Sequence, residues 1–160
     1  MDATRKMQLA EAVEAANVES LLGLMDADLR DTLGVTVRRF GDGLAVRMTA
    51  EPDFPYLNRV FALGSREAFS FEALDEALEF LRREGSTFRL LQLPPGLEDD
   101  SVLQGLAERG FRRGGSWTKF LRRTDVPPSF PTDLEVVEVD ASLADEAAAV
   151  QAEKIGRAHV

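Results

Sequence analysis

The chain has 160 residues, enough for one domain with a sizeable core and too few for two complete domains of ordinary size. Hydrophobic residues make up 44% and charged residues 29%, as in globular proteins, and the absence of cysteine excludes disulfides, thiolate metal sites and a cysteine nucleophile. Its 28 acidic and 19 basic residues give a formal net charge of −9, which argues against nucleic acid as a partner because a polyanionic backbone would be repelled.

The N-terminal stretch "MDATRKMQLAEAVEAANVES" carries charges throughout. It lacks the uninterrupted apolar core of a signal peptide, and no later stretch approaches the length needed to span a bilayer. The sequence therefore predicts a cytoplasmic protein with no membrane partner.

Apolar residues recur at helical spacing over 9–16 and again, with shifted phase, over 18–29. This pattern predicts two short helices, with Asn17 as the N-cap of the second and Gly34 as its end. The segments "VTVRRF" and "LAVRMTA" flank the turn Gly41-Asp42-Gly43, which predicts a β-hairpin. A third strand, antiparallel like the first two, is expected around 56–63.

The next helix is predicted from Phe71, with Ser70 as its N-cap, Gly85 at its end and one apolar face. Apolar positions on that face are Phe71, Leu74, Leu78 and Leu81. The segment "TFRLLQL" reads as a buried strand, and the helix after it is predicted over 101–109, with Ser101 and Gln104 at capping-box spacing.

The strand "SWTKFLRR" completes the first unit and gives the order α-α-β-β-β-α-β-α-β. This is a mixed α/β fold (α+β mixed sheet), in which the late strand–helix–strand crossover should pair its two strands in parallel. The proline-rich stretch "DVPPSFPTD" is typical of a spacer between domains. After it, "LEVVEV" and "ASLADEAAAVQAEK" predict a strand and a helix, with Asp140 or Ser142 near the start of the helix.

The element order, together with the Gly-Phe pair in "AERGFRRGGSWTKFL", resembles the GNAT superfamily of N-acetyltransferases. The start "TDLEVVEVDASLADEAAAV" is similar to the opening strand and helix of the same fold. The resemblance implies a tandem-lobe member, with an N-terminal lobe over 1–124, a linker over 125–133 and the first strand and helix of an incomplete second lobe over 134–154. It implies acetyl-CoA as the cofactor of the parent protein and an amine, small or in a peptide, as acceptor.

In that superfamily a loop of the form Arg/Gln-x-x-Gly-x-Gly/Ala binds the pyrophosphate of acetyl-CoA with its N–H groups. The corresponding segment here is "ALGSREAFSF", in which a single glycine stands near the carboxylate of Glu67 and the bulky Phe69. We therefore expect a degenerate loop, and a lobe that lacks its own cofactor site. The residues of that loop are Leu63, Gly64, Ser65 and Arg66.

Asn58 and Arg59 are candidates for a substrate cleft, because members of the superfamily resemble this chain in having an asparagine early in that strand. Their alternative interpretation is the polar face of an alternating strand. Tyr56 precedes the position from which a tyrosine acts as general acid in the superfamily, and Trp117 is expected to serve packing. The sequence identifies no catalytic residue and no metal ligand.

Arginine occurs in pairs at 38/39, 82/83, 112/113 and 122/123, and such scattered pairs are typical of a solvated surface rather than an anion site. His159 is the one histidine, but it lies in the tail "IGRAHV", which breaks the preceding helical pattern and resembles a translated sequencing adapter. Residues 155–160 are therefore expected to be non-native.

Two functions follow as alternatives. In the first, the chain is part of an acetyl-CoA-dependent N-acetyltransferase whose catalytic groups lie in the second lobe. In the second, it is a non-catalytic lobe that binds a ligand or supports a partner domain.

Overall fold

The computed structural model describes residues 2–83, 89–116, 119, 133, 137 and 139–157, and for 151–157 it describes the backbone only. The chain divides into two compact units, Met1–Lys119 and Phe120–Val160. The first unit holds the strands β1 Val35–Phe40, β2 Gly43–Met48, β3 Arg59–Phe61 and β4 Leu90–Gln92. Its helices are α1 Ala3–Gly23, α2 Ala27–Leu33, α3 Phe71–Arg82 and α4 Asp100–Glu108.

The first helix is longer than the sequence predicts. It runs without a break through Asn17, and the second helix begins only after Asp26, whose carboxylate accepts from the N–H groups of Asp28 and Leu29. The predicted N-cap at Asn17 is therefore wrong. The shift in the apolar pattern near Asn17 does not mark the end of a helix. The buried residues of α1 include the small Ala12 and Ala15, which add little to that pattern. The predicted end at Gly34 is confirmed, since this glycine is the C-cap of α2 with φ of +61°.

The four strands form one mixed sheet in the order β1-β2-β3-β4. The predicted hairpin is confirmed, with Phe40 opposite Gly43 across the turn. Strand β3 pairs antiparallel to β2 and parallel to β4, with Val60 opposite Leu91. Helix α3 thus joins two parallel strands, and the described part of the first unit is a mixed α/β fold. The late crossover, predicted to end in "SWTKFLRR", involves a strand almost wholly outside the described residues and stays a prediction.

The central strands of the first unit are buried on both faces. Successive residues of a strand point to opposite sides, so each strand contributes to two apolar clusters. On one face Ala45 and Val60 pack with Leu74 and Leu81 of α3. On the other face a second group packs against α1: Leu44, Val46, Phe61 and Ala15. The central strands β2 and β3 therefore lie between α1 and α3.

The caps of the later helices agree with the sequence in one case and differ in another. Ser70 caps α3, as predicted, by accepting from the N–H of Ala73. Helix α4, however, begins after Asp99, whose carboxylate accepts from the N–H of Val102. The predicted cap at Ser101 is wrong because the aspartate two residues earlier offers the better acceptor, and Ser101 itself donates to Asp99.

In the second unit the helix α5 spans Ala144–Arg157. Asp140 lies just before it and accepts from the N–H and hydroxyl of Ser142. The helical backbone continues beyond Lys154 through Arg157. The expectation that residues 155–160 are non-native stays a prediction. Gly156 lies inside this helix. A glycine in a helix interior costs only about 1 kcal/mol relative to alanine, which the other residues of the helix can offset.

Several predictions fall on residues that the structure does not describe. They concern Gly85 as the end of α3, almost all of the strand "SWTKFLRR", the spacer 125–132 and most of the strand over 134–139.

Within the described residues, no helix is both long and apolar enough to cross a membrane.

The burial pattern of α3 predicts unequal effects of its leucines on stability. Leu74→Ala should lower the free energy of unfolding by about 2 to 5 kcal/mol, because its fully buried side chain leaves a cavity. Leu78→Ala should cost less, since Leu78 is only partly buried, and Leu103→Ala, at a 43% exposed site on α4, is the control. Urea denaturation measures all three, and equal losses for Leu74 and Leu103 would contradict this packing.

Candidate functional site

The loop between β3 and α3, residues 62–70, has a backbone that the sequence alone does not reveal. Ala62 has φ of +62°, an uncommon value for a residue with a side chain, and Gly64 has φ of +83°. A Cβ on Gly64 would lie 2.6 Å from a methyl carbon of Leu97 and 3.3 Å from Phe69. Glycine is therefore required here by both the backbone angle and the close packing.

This loop aims several hydrogen-bond donors at one carboxylate, that of Asp42. The N–H of Gly64 donates to Oδ1 over 2.8 Å, and the N–H groups of Arg66 and Glu67 donate to Oδ2 over 2.6 and 3.2 Å. The hydroxyl of Ser65 lies 3.4 Å from the same Oδ2. Convergent backbone N–H groups of this kind form an anion-binding concavity. The loop is thus a cradle, and the chain's own carboxylate occupies it.

Asp42 reaches the loop because the hairpin turn lies directly on it. A Cβ on Gly43 would lie 2.8 Å from the Cβ of Leu63, so a glycine allows the turn to approach. The sequence pattern Gly41-Asp42-Gly43 is already explained by turn formation. For that reason sequence reasoning did not single out Asp42 as a functional residue.

Helix α3 follows the cradle without taking part in it. At its N-terminus the N–H of Ala73 donates to the hydroxyl of Ser70. Phe69 packs against the core, whereas Glu67 is exposed. The predicted loop residues Leu63, Gly64, Ser65 and Arg66 therefore come together around Asp42 rather than around an open helix terminus.

Arg59 lies in a second polar cluster, buried between β3, β4 and α1. Its guanidinium donates to Gln92 over 2.9 Å and pairs with Glu14 at 3.4 Å. Gln92 donates to Glu11 over 2.7 Å, and Lys119 pairs with Glu11 at 2.7 Å and also donates to Glu14. Two carboxylates thus meet two cations.

Two glutamates in the sequence of α1 indicate this cluster. Glu11 and Glu14 lie three residues apart and so share a helix face, and Glu11 also lies one turn before the buried Ala15. A buried carboxylate at 3% exposure, like Glu11, requires a partner. Only the tertiary structure identifies that partner as Lys119.

The ionisation of Glu14 follows from this environment. Burial acts to raise its pKa, but the hydrogen bond and charge of Lys119 act against it, together with the hydrogen bond of Gln92. The charge of Arg59 acts in the same direction, and the net result is a pKa below the ordinary value of 4.5. Glu14 is therefore ionised at neutral pH and is a weaker base than a free glutamate, which favours a structural over a proton-transfer role.

Asn58, the other predicted cleft residue, is fully buried beside β3. Its amide nitrogen donates to the carbonyls of Glu51 and Phe54 over 2.8 and 3.0 Å, and its oxygen accepts from the N–H of Met48 over 3.2 Å. These bonds fix the connection from β2 to β3. Asn58 and Arg59 face separate sets of partners, so the structure does not bring them into one site.

The remaining candidates are dispersed. Tyr56 is 40% exposed and packs edge-on against Phe54, with ring centres 5.5 Å apart. Several of the paired arginines contact carboxylates: Arg39 with Glu19, Arg82 and Arg83 with Glu79, and Arg113 with Glu98. Trp117, Arg122, Arg123 and His159 lie outside the described residues.

A groove between β1 and α3 offers a third polar surface. Phe40 and Phe80 line it with ring centres 5.7 Å apart, and the guanidinium of Arg38 lies over the Phe40 ring. Two of its carboxylates are neutralised by arginines: Asp75 by Arg109, and Glu79 by Arg82. In the part of the chain that the structure describes, no group of histidine and acidic residues could hold a metal ion.

No protein-family model, curated protein or solved structure matches this chain. The resemblance to acetyltransferases therefore remains a prediction. The geometric evidence on function comes from two polar sites, the loop cradle around Asp42 and the Arg59 cluster. In both, groups of the chain itself are the hydrogen-bond partners.

The cradle makes a prediction about stability. Asp42→Ala should lower the free energy of unfolding by about 1 to 3 kcal/mol, because the N–H groups of the loop lose a charged acceptor. Urea denaturation at pH 7 measures the effect. Asp31→Ala, which removes one exposed carboxylate from α2, is the control for net charge, and an equal change in both variants would contradict the contact.

The lowered pKa of Glu14 predicts a pH dependence. A carboxyl whose folded-state pKa is depressed contributes stability above its unfolded value, near 4.5, and loses that contribution as the pH falls through the folded value. Glu14→Gln should therefore be less stable than the wild type at pH 7, and the difference should narrow in acid. Glu76→Gln, at an exposed site, is the control, and a constant difference at all pH values would contradict the assignment.

Proposed function

We propose that this chain provides an acetyltransferase-like lobe that does not itself bind acetyl-CoA and that acts as a non-catalytic scaffold. The parent protein would transfer an acetyl group from acetyl-CoA to an amine. The chemistry would belong to a second lobe.

A single observation carries the scaffold role. The loop that corresponds to the pyrophosphate loop of the superfamily donates its N–H groups to Asp42. A cofactor phosphate would have to displace a carboxylate that is part of the fold. The cofactor would also bring further negative charge close to Asp42 and Glu67, which is unfavourable for binding.

The order of elements supports the acetyltransferase-like part of the proposal. Helix α3 connects β3 to a parallel β4, and α4 follows, as the resemblance implies for such a lobe. The Arg59 cluster supports the scaffold role, because each of its charges has an opposite charge within 4 Å. A binding site for a charged substrate needs a side-chain charge that the protein itself does not neutralise, so that this charge can pair with the ligand.

Calorimetric titration of the full chain with acetyl-CoA tests the proposal. We expect no saturable heat at sub-millimolar ligand, since the cradle is closed. A catalytically active N-acetyltransferase measured in the same buffer is the positive control. Saturable binding by the wild-type chain at micromolar ligand would overturn the scaffold role.

A further inference from the structure

We propose that Asp42 is a built-in competitor for the loop cradle, and that the cradle binds a small phosphate-class oxyanion when the carboxylate is withdrawn. The inference rests on the proposed function in one respect, namely that the wild-type cradle is closed. It adds that the closed cradle retains the chemistry of an anion site.

The first step is the donor set. Three backbone N–H groups and one hydroxyl converge on the two oxygens of Asp42, at 2.6 to 3.4 Å. The N–H of Ser65 is not among them, because it donates to the carbonyl of Ala62. A tetrahedral oxyanion carries more acceptor oxygens than a carboxylate and can therefore accept the same donors.

The second step is the surrounding charge. The guanidinium of Arg5 donates to the carbonyl of Ser65 over 3.1 Å, and the exposed Arg66 belongs to the loop itself. Against these two cations stands the exposed carboxylate of Glu67. Once Asp42 is removed, these loop charges favour an anion, and the attraction should weaken with salt.

The third step is the position of the competitor. Asp42 lies on a two-residue turn between the ends of β1 and β2, with Gly41 before it and Gly43 after it. Its carboxylate is thus tethered beside the loop at a high effective concentration. The affinity for an external anion is reduced by the fraction of molecules in which the cradle is open, so removal of the tethered carboxylate should raise the affinity.

The test is a titration with inorganic pyrophosphate, followed by the amide resonances of Gly64, Arg66 and Glu67 in ¹H–¹⁵N spectra. Asp42→Ala should show saturable shifts at these amides with an affinity at least about tenfold higher than the wild type, because the competitor is gone. Asp42→Asn keeps the shape of the side chain and loses its charge, so its affinity for pyrophosphate should lie between those of the wild type and Asp42→Ala. It replaces the alanine variant in the test if that variant does not fold. Asp31→Ala should behave as the wild type.

Equal pyrophosphate affinities for the wild type and both Asp42 variants would overturn the inference, as would shifts that avoid the three amides. Its failure is distinguishable from failure of the scaffold role. Acetyl-CoA binding by the wild type that leaves the amides of Gly64, Arg66 and Glu67 unshifted contradicts the scaffold role alone, whereas binding that shifts them contradicts both proposals. An unresponsive cradle in the Asp42 variants contradicts the competitor alone.

Discussion

Three backbone N–H groups of the loop after β3 point to one place, and the carboxylate of Asp42 meets them there. Backbone donors near the interior need acceptors, and a loop with positive φ at Ala62 and Gly64 cannot offer its N–H groups to a regular ladder. The bonds to Asp42 satisfy these donors and also tie the hairpin turn to the connection that leads into α3. The connection into α3 is therefore held by a residue 22 positions before Gly64 in the chain.

The Arg59 cluster performs a related task on the face of the sheet toward α1. Strands β3 and β4 have only three residues each, so their ladder contains few hydrogen bonds. Bonds from Arg59 to Gln92 link the two strands by side chains, and Glu11 and Glu14 attach α1 to both. Desolvation offsets much of the attraction within a buried ionic group, so we expect this cluster to contribute specificity of packing more than net stability.

These two polar sites bear on function in the same way. Each contains groups that could bind a ligand, backbone donors in one and paired charges in the other, and in each the chain supplies the counterpart itself. A lobe with such sites is suited to hold its own geometry and to present a fixed surface. In the function that we propose, the choice between a scaffold and a ligand-binding role depends on one carboxylate in a turn.

Local chemistry determined much of the fold from the sequence alone: the hairpin at Gly41-Asp42-Gly43 and the cap of α3 at Ser70 follow from turn propensity and capping. The continuity of α1 through Asn17 did not follow, because its buried residues are Glu11, Ala12 and Ala15, which give little hydrophobic signal. The pairing of Asp42 with a loop more than twenty residues away, and of Lys119 with Glu14, was decided only by the tertiary structure. Such contacts depend on which ends of the strands the topology brings together, and residue spacing along the chain does not encode that.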